Sequence, residues 1–321
     1  MNPSPAIRPG GRLLDPAALM RLGTLELRAR WVVEGFRHGL HRSPYHGFSV
    51  EFTEYRQYTP GDDPRFLDWR VFGRSDRYYL KKFEDETNLR CHLLVDRSRS
   101  MAFGSAGHPK AAYAATLAAT LAHFLDGQGD AVGLLTFAGG VRDFLPARHR
   151  PGQLRRLTLL LEGDADGPDT DLVPPLEQVG QVVRKRGLVV LVSDLLAPVD
   201  RLERSLSMLT AAGHEVVVFQ VLDPAEIDFS FTDAALFEDL ESGRTVYIDP
   251  AVIRESYRER LAAHGRAVQE TCGRLGAAFH RVPTSRPLEL ALLEFIQDRE
   301  RTGARLRPGR AGRGSPAGGR P

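Results

Sequence analysis

The chain has 321 residues, 42% of them hydrophobic and 26% charged, a balance that excludes a disordered or fibrous class for most of its length and allows a sizeable buried core. Its formal charge of +2 is unevenly spread: Arg301, Arg305, Arg307, Arg310, Arg313 and Arg320 fall in a terminal stretch without one acidic residue, so the remainder carries a net −4 and is a poor match for wholesale nucleic-acid binding. Cys91 lies in an apolar strand-like run and Cys272 in a helix-like run, and they support neither a disulfide framework nor a thiolate metal site.

No apolar run approaches the roughly 20 residues of a membrane helix, and the N-terminus lacks a basic-then-apolar secretory pattern, so a cytoplasmic location is expected. Pro16 to Gly39 reads as one helix, with Leu19, Leu22, Leu25, Leu27, Val32, Val33 and Phe36 near helical spacing. Leu40 to Asn88 is crowded with aromatics and punctuated by Ser43-Pro44, Pro60-Gly61 and Asp63-Pro64, the texture of short strands and turns. Aromatic rings mostly pack, so this block is expected to build a small core on a larger body.

From there the pattern is regular. Leu89 to Val95 is a strand ending on Asp96, and a helix follows over Pro109 to Leu125. Ala131 to Phe137 and Val141 to Leu145 form a hairpin across Gly139-Gly140. Helices are expected over Gly152 to Leu161, Asp171 to Arg186 and Val199 to Ala212. Leu188 to Val192 is an unbroken apolar run, as in a parallel strand buried on both faces, and it ends on Ser193-Asp194. The rest reads as a strand from Glu215 to Leu222, a hairpin around Leu236 to Ile248, a helix from Ala251 to Leu275, a strand from Ala278 to Val282 and a closing helix from Leu288 to Asp298. This alternation predicts an α/β fold with a doubly wound, mostly parallel sheet of Rossmann type. The expected division is an N-terminal helix and aromatic extension (1–88), the α/β domain (89–300) and a disordered Arg/Gly/Pro tail (301–321), whose contact with polyanions would be weak.

In a sheet of order 3-2-1-4-5-6, ligands bind beyond the carboxyl ends of the strands where the order reverses. Asp96, Ser98 and Ser100 end the first strand, Asp194 ends the fourth, and Asp169, Thr170 and Asp171 precede the helix before the fourth. Hard carboxylate and hydroxyl oxygens without imidazole or thiolate suit Mg²⁺, or Mn²⁺. A lone Asp-x-Ser-x-Ser is a weak signal, because such side chains often only cap the next helix; together with Thr170 and Asp194, metal binding is the preferred reading.

Asp96-x-Ser98-x-Ser100, Thr170 and Asp194 resemble the metal-ion-dependent adhesion site of von Willebrand factor A-like domains. The fuller resemblance is to the bacterial family known as domain of unknown function 58, carried by Gly39-Leu-His-Arg-Ser43, Gly47-Phe-Ser-Val-Glu-Phe52, Tyr55-Arg-Gln-Tyr58, Pro60-Gly-Asp-Asp63 and Leu67-Asp-Trp69. It runs from about Gly35 to Asp194 and continues less sharply to about Ile248. The resemblance implies a non-enzymatic adaptor: Ser98 and Ser100 as direct ligands beside Asp96, Thr170 and Asp194 bound directly or through water, and one position open for a partner's carboxylate. It also implies a MoxR-type AAA+ ATPase as partner, in chaperone-like assembly or maturation of other proteins. Arg97 and Arg99 depart from the small residues expected between the ligands, and either could displace the metal if it turned inward.

Enzymatic signatures fit poorly. Gly47-Phe48-Ser49-Val50-Glu51 lacks the closing glycine of a nucleophile elbow, and neither a phosphate-cradling Gly-x-x-x-x-Gly-Lys nor His-Glu-x-x-His occurs. The alternative is a Mg²⁺- or Mn²⁺-dependent phosphoester hydrolase using the same cluster, with Asp194 or Asp171 as base.

Overall fold

The computed structural model describes residues 13–40, 54–57, 79–82, 89–167, 173–183, 186–240 and 243–306. Most of the aromatic stretch, the Asp169-Thr170-Asp171 segment and the Arg-rich end beyond Leu306 therefore lie outside the described residues. Two short strands of the aromatic stretch, β1 (Glu54–Gln57) and β2 (Tyr79–Lys82), pair antiparallel.

The expected first helix is two helices, α1 (Pro16–Met20) and α2 (Leu25–Leu40). The break falls at Arg21–Thr24, where Gly23 carries a large entropic cost in a helix and Thr24 Oγ1 accepts from the Leu27 amide at 3.3 Å to start the second helix. Leu25, Ala29, Val32, Val33 and Phe36 are buried while Leu27 is exposed, and Leu19 of α1 is buried in the same core, so two separate stripes, one on each helix, face inward.

The body is one six-stranded sheet. Its strands are β3 (Arg90–Asp96), β4 (Ala131–Phe137), β5 (Val141–Arg148), β6 (Leu188–Ser193), β7 (Glu215–Leu222) and β10 (Ala278–Pro283), in the order β10-β7-β6-β3-β4-β5. All neighbours are parallel except β5, which returns antiparallel beside β4. This is the doubly wound, mostly parallel α/β sheet expected. The order reverses at β3 and β6, which pair from Cys91↔Leu188 to Val95↔Val192. A separate hairpin joins β8 (Ala235–Glu238) to β9 (Thr245–Ile248).

Helices cover both faces. The connecting helices are α3 (Lys110–Asp126), α4 (Gln153–Leu161), α5 (Val173–Val182), α6 (Val199–Ala211), α7 (Pro224–Asp228), α8 (Pro250–Arg274) and α9 (Leu288–Leu306). Alternation along each strand divides the core in two. Cys91, Leu93, Val95, Val190, Val192, Val217 and Phe219 face α2, α3, α4 and α9. Leu94, Val189, Leu191, Val216 and Val218 face α5, α6 and α8. Phe36 of α2 meets Phe124 of α3 edge to face at 6.4 Å, so the N-terminal helix belongs to the main core. The closing helix runs eight residues past Asp298 because Arg-Glu-Arg and the residues after it are mostly tolerable or good helix formers.

Candidate functional site

The carboxyl ends of β3 and β6 deliver Asp96, Ser98 and Asp194 into the protein. Asp96 is fully buried. Its Oδ2 accepts from Ser193 Oγ at 2.6 Å and its Oδ1 from the Ser98 amide at 2.9 Å. Burial, and next the repulsion of Asp194, push its carboxyl up to about 7 against the pull of those hydrogen bonds. Such a group favours a nearby cation. Ser98, also buried, shares a hydrogen bond of 3.0 Å with Ser100 between their Oγ atoms.

Asp194 is held by the turn that follows β6. Its Oδ1 accepts from the Leu196 amide at 3.3 Å, its carbonyl accepts from Gln220 Nε2 at 3.1 Å, and the Leu195 amide donates to Ser193 Oγ at 3.1 Å. Leu195 is left-handed, with φ 56°, although its side chain is buried. That conformation is costly for a residue with a branched side chain and is retained where the surroundings over-determine it. Here the surroundings include His264, whose Nε2 lies 2.7 Å from the Leu195 carbonyl.

The largest departure from the sequence reading is Lys110. Its side chain is wholly buried at the first turn of α3, and Nζ donates to Asp194 Oδ2 at 2.9 Å and to Glu226 Oε1 at 2.6 Å. Burial opposes the ammonium, but the two carboxylates outweigh it and hold the lysine above its ordinary pKa. Glu226 is itself fixed: its Oε2 accepts from the Asp223 amide at 2.9 Å in a capping box of α7. Asp223 accepts in turn from the backbone and hydroxyl of Ser105, from Ala225 and from Thr284. The sequence holds a signal for Lys110, since a lysine opening an otherwise apolar helix stands at the positive end of the helix dipole. Only a buried anion makes that placement favourable.

Arg97 and Arg99 do not turn toward Asp96. Arg97 is buried, with its guanidinium toward Gly163 and within the field of Arg142, Asp164, Asp143 and Asp166; Arg99 Nε donates to the Asp166 carbonyl at 3.4 Å. Both lie along the loop that leads to Thr170, which itself is outside the described residues. Gly167 enters that segment with its amide donating to the Arg97 carbonyl at 3.2 Å and its carbonyl accepting from the Arg99 amide at 2.9 Å, so it brackets Ser98. A Cβ on Gly167 would stand 2.1 Å from Ala138 Cβ. Gly167→Ala is therefore expected to cost about 2 kcal/mol of stability and to weaken Mn²⁺ binding several-fold, checked by chemical denaturation and calorimetry on the same sample.

The donor set fits a hard divalent cation in part. Two adjacent oxygens of an octahedron with bonds of 2.0–2.1 Å stand about 2.9 Å apart, close to the Ser98–Ser100 separation of 3.0 Å. Among the described residues no three His, Cys, Asp or Glu side chains gather as a cation site. An ion here would lean on Asp96, Ser98 and Ser100. Asp194 is already paired with Lys110.

Among the described residues no helix is long and apolar enough to cross a membrane. Residues 54–267 match the family model described as protein of unknown function DUF58. Uncharacterized proteins of Mycobacterium tuberculosis and Mycobacterium bovis are each 32% identical over 297 residues, covering 91% of this chain and 92% of theirs. Among solved structures, BatB from Bacteroides thetaiotaomicron is similar at 16% identity, with 66% of this chain and 99% of that one covered and a TM-score of 0.44. The VWA domain of SpRpn10 is similar at 12% identity, with coverages of 64% and 95% and a TM-score of 0.38. With the family model spanning two thirds of the sequence, and with the doubly wound sheet expected of a von Willebrand factor A-like domain, the chain belongs to the DUF58 family.

Proposed function

We propose that this protein is a metal-dependent, non-enzymatic adaptor. Mg²⁺ (or Mn²⁺) held by Asp96, Ser98 and Ser100, with Thr170 and Asp194 bound directly or through water, grips a carboxylate supplied by a protein partner. A MoxR-type AAA+ ATPase is the partner that the family resemblance suggests, in chaperone-like assembly or maturation of other proteins. The observation that carries the reading is the Ser98–Ser100 hydroxyl pair at octahedral spacing beside a buried carboxylate.

A bound ion supplies a coordination position that an outside anionic oxygen can fill. The residues of the chain do the rest. Asp96 is preset by Ser193 and the Ser98 amide, so little side-chain entropy is lost on binding. Asp194 stands beside Asp96 at the neighbouring strand end, paired with Lys110, and the position left open on the cation is the one a partner's carboxylate fills.

The test is a pull-down of the intact protein with Mg²⁺, with chelator, and as Asp96→Ala. Partner recovery is expected to fall at least tenfold in the last two conditions. Equal recovery in all three would overturn the reading, and Asp96-dependent turnover of phosphate esters with Mg²⁺ or Mn²⁺ would replace the adaptor with a hydrolase.

A further inference from the structure

We propose that Lys110 is a resident cation that competes with the divalent ion for Asp194, bridging Asp194 and Glu226 when metal is absent and withdrawing to Glu226 alone when metal claims the Asp194 carboxylate. This rests on the reading of Asp96, Ser98 and Ser100 as a divalent-ion site.

Three observations carry it. First, the ammonium is shared and not committed: Nζ reaches Asp194 and Glu226 at once, at 2.9 and 2.6 Å, and a four-carbon stem with three donors can give up one partner without losing the other. Secondly, the two carboxylates are anchored differently. Glu226 has its second oxygen pinned to the Asp223 amide, whereas Asp194 Oδ2 meets Lys110 and, among the described residues, its Oδ1 takes one 3.3 Å bond, from Leu196 within its own turn. Glu226 is thus a fixed receptor for the ammonium and Asp194 the more easily surrendered one. Thirdly, the charges balance. In their ionised forms Asp96, Asp194 and Glu226 exceed the single ammonium by two negative charges, which is the charge of one divalent ion.

The arrangement couples the site to its surroundings. Glu226 and Asp223 cap α7, and Asp223 holds Ser105 in the loop that continues from Ser100. Movement of Lys110 between its two partners therefore links occupancy of the ion site to the loop beside it. It also sets selectivity, because a monovalent ion offers Asp194 no more charge than the ammonium already there.

The experiment measures Mn²⁺ binding to the full chain by calorimetry and by electron paramagnetic resonance of free Mn²⁺, for wild type, Lys110→Met and Glu226→Gln. Lys110→Met frees Asp194 and is expected to bind Mn²⁺ at least tenfold more tightly, with a melting temperature that rises more on metal addition than that of wild type. Glu226→Gln keeps the Lys110–Asp194 pair but removes the place of retreat, so its affinity is expected to fall about fivefold. Should Lys110→Met not fold, Glu226→Gln decides alone: weaker binding supports the competition, and unchanged or tighter binding overturns it. Wild-type affinity in both variants would overturn the competition and leave the ion site standing. Binding by Lys110→Met but not by wild type would support the lysine as occupant. If neither binds, the competition and the ion site fall together.

Discussion

In chelator, Asp96→Asn is expected to melt about 5 °C above wild type, a gain of about 2 kcal/mol for a domain of this size. The carboxylate of Asp96 is wholly buried and is repelled by Asp194, and both effects raise its carboxyl to about 7. At pH 8 the ionised group must be carried without a cation beside it. An amide of the same shape sheds that penalty and can still accept one hydrogen bond from Ser193 or the Ser98 amide, so the relief exceeds the loss. With millimolar Mg²⁺ the order should reverse: wild type gains stability in proportion to the logarithm of ion concentration over its dissociation constant, and the variant gains nothing. Differential scanning calorimetry in both conditions is sufficient. A variant less stable than wild type in chelator would mean that Asp96 is compensated without metal.

Acid should weaken the fold through His92. This imidazole lies buried on β3, and burial, then the neighbouring His214 and Arg90, lower its pKa from 6.5 to about 4. Between those values the unfolded chain binds a proton that the folded protein refuses. Stability attributable to His92 is therefore complete above pH 6.5 and is lost as pH falls toward 4, by about 3 kcal/mol over the window. Glu294 adds to the loss at lower pH, because hydrogen bonds from His280 and Arg286, against opposing burial, bring its carboxyl to about 2 and the folded state resists its protonation. Denaturant titrations of wild type and His92→Gln at pH 7.5 and pH 4.5 isolate the histidine. The variant should lose about 2 kcal/mol less between the two pH values, and equal losses would show that His92 is protonated in place.

Much of the fold was legible because buried strands and amphipathic helices announce themselves locally. The unbroken run Leu188 to Val192 and the strand before Asp96 read as parallel strands, and they pair at the centre of the sheet. The hairpins, and the helices after β3, β5 and β6, fall within a few residues of expectation. The break at Arg21–Thr24 was not legible in the hydrophobic spacing, which runs on across a glycine and a capping threonine that stop one helix and start the next.

The candidate site divides along the same line. By itself the sequence determined which residues end the two central strands, Asp96 with its two serines on one and Asp194 on the other, since a buried strand stops where polar residues begin. It could not assign their partners. Ser193 reaches Asp96 across 97 residues, and Lys110 reaches Asp194 across 84 and Glu226 across 116. Periodicity carries no information about such separations. Whether Asp194 waits for a cation from solution or already holds one was decided only when the packing of α3 brought the Lys110 ammonium under β6 and away from water, where an ion pair is the one arrangement that offsets the cost of burying its charge.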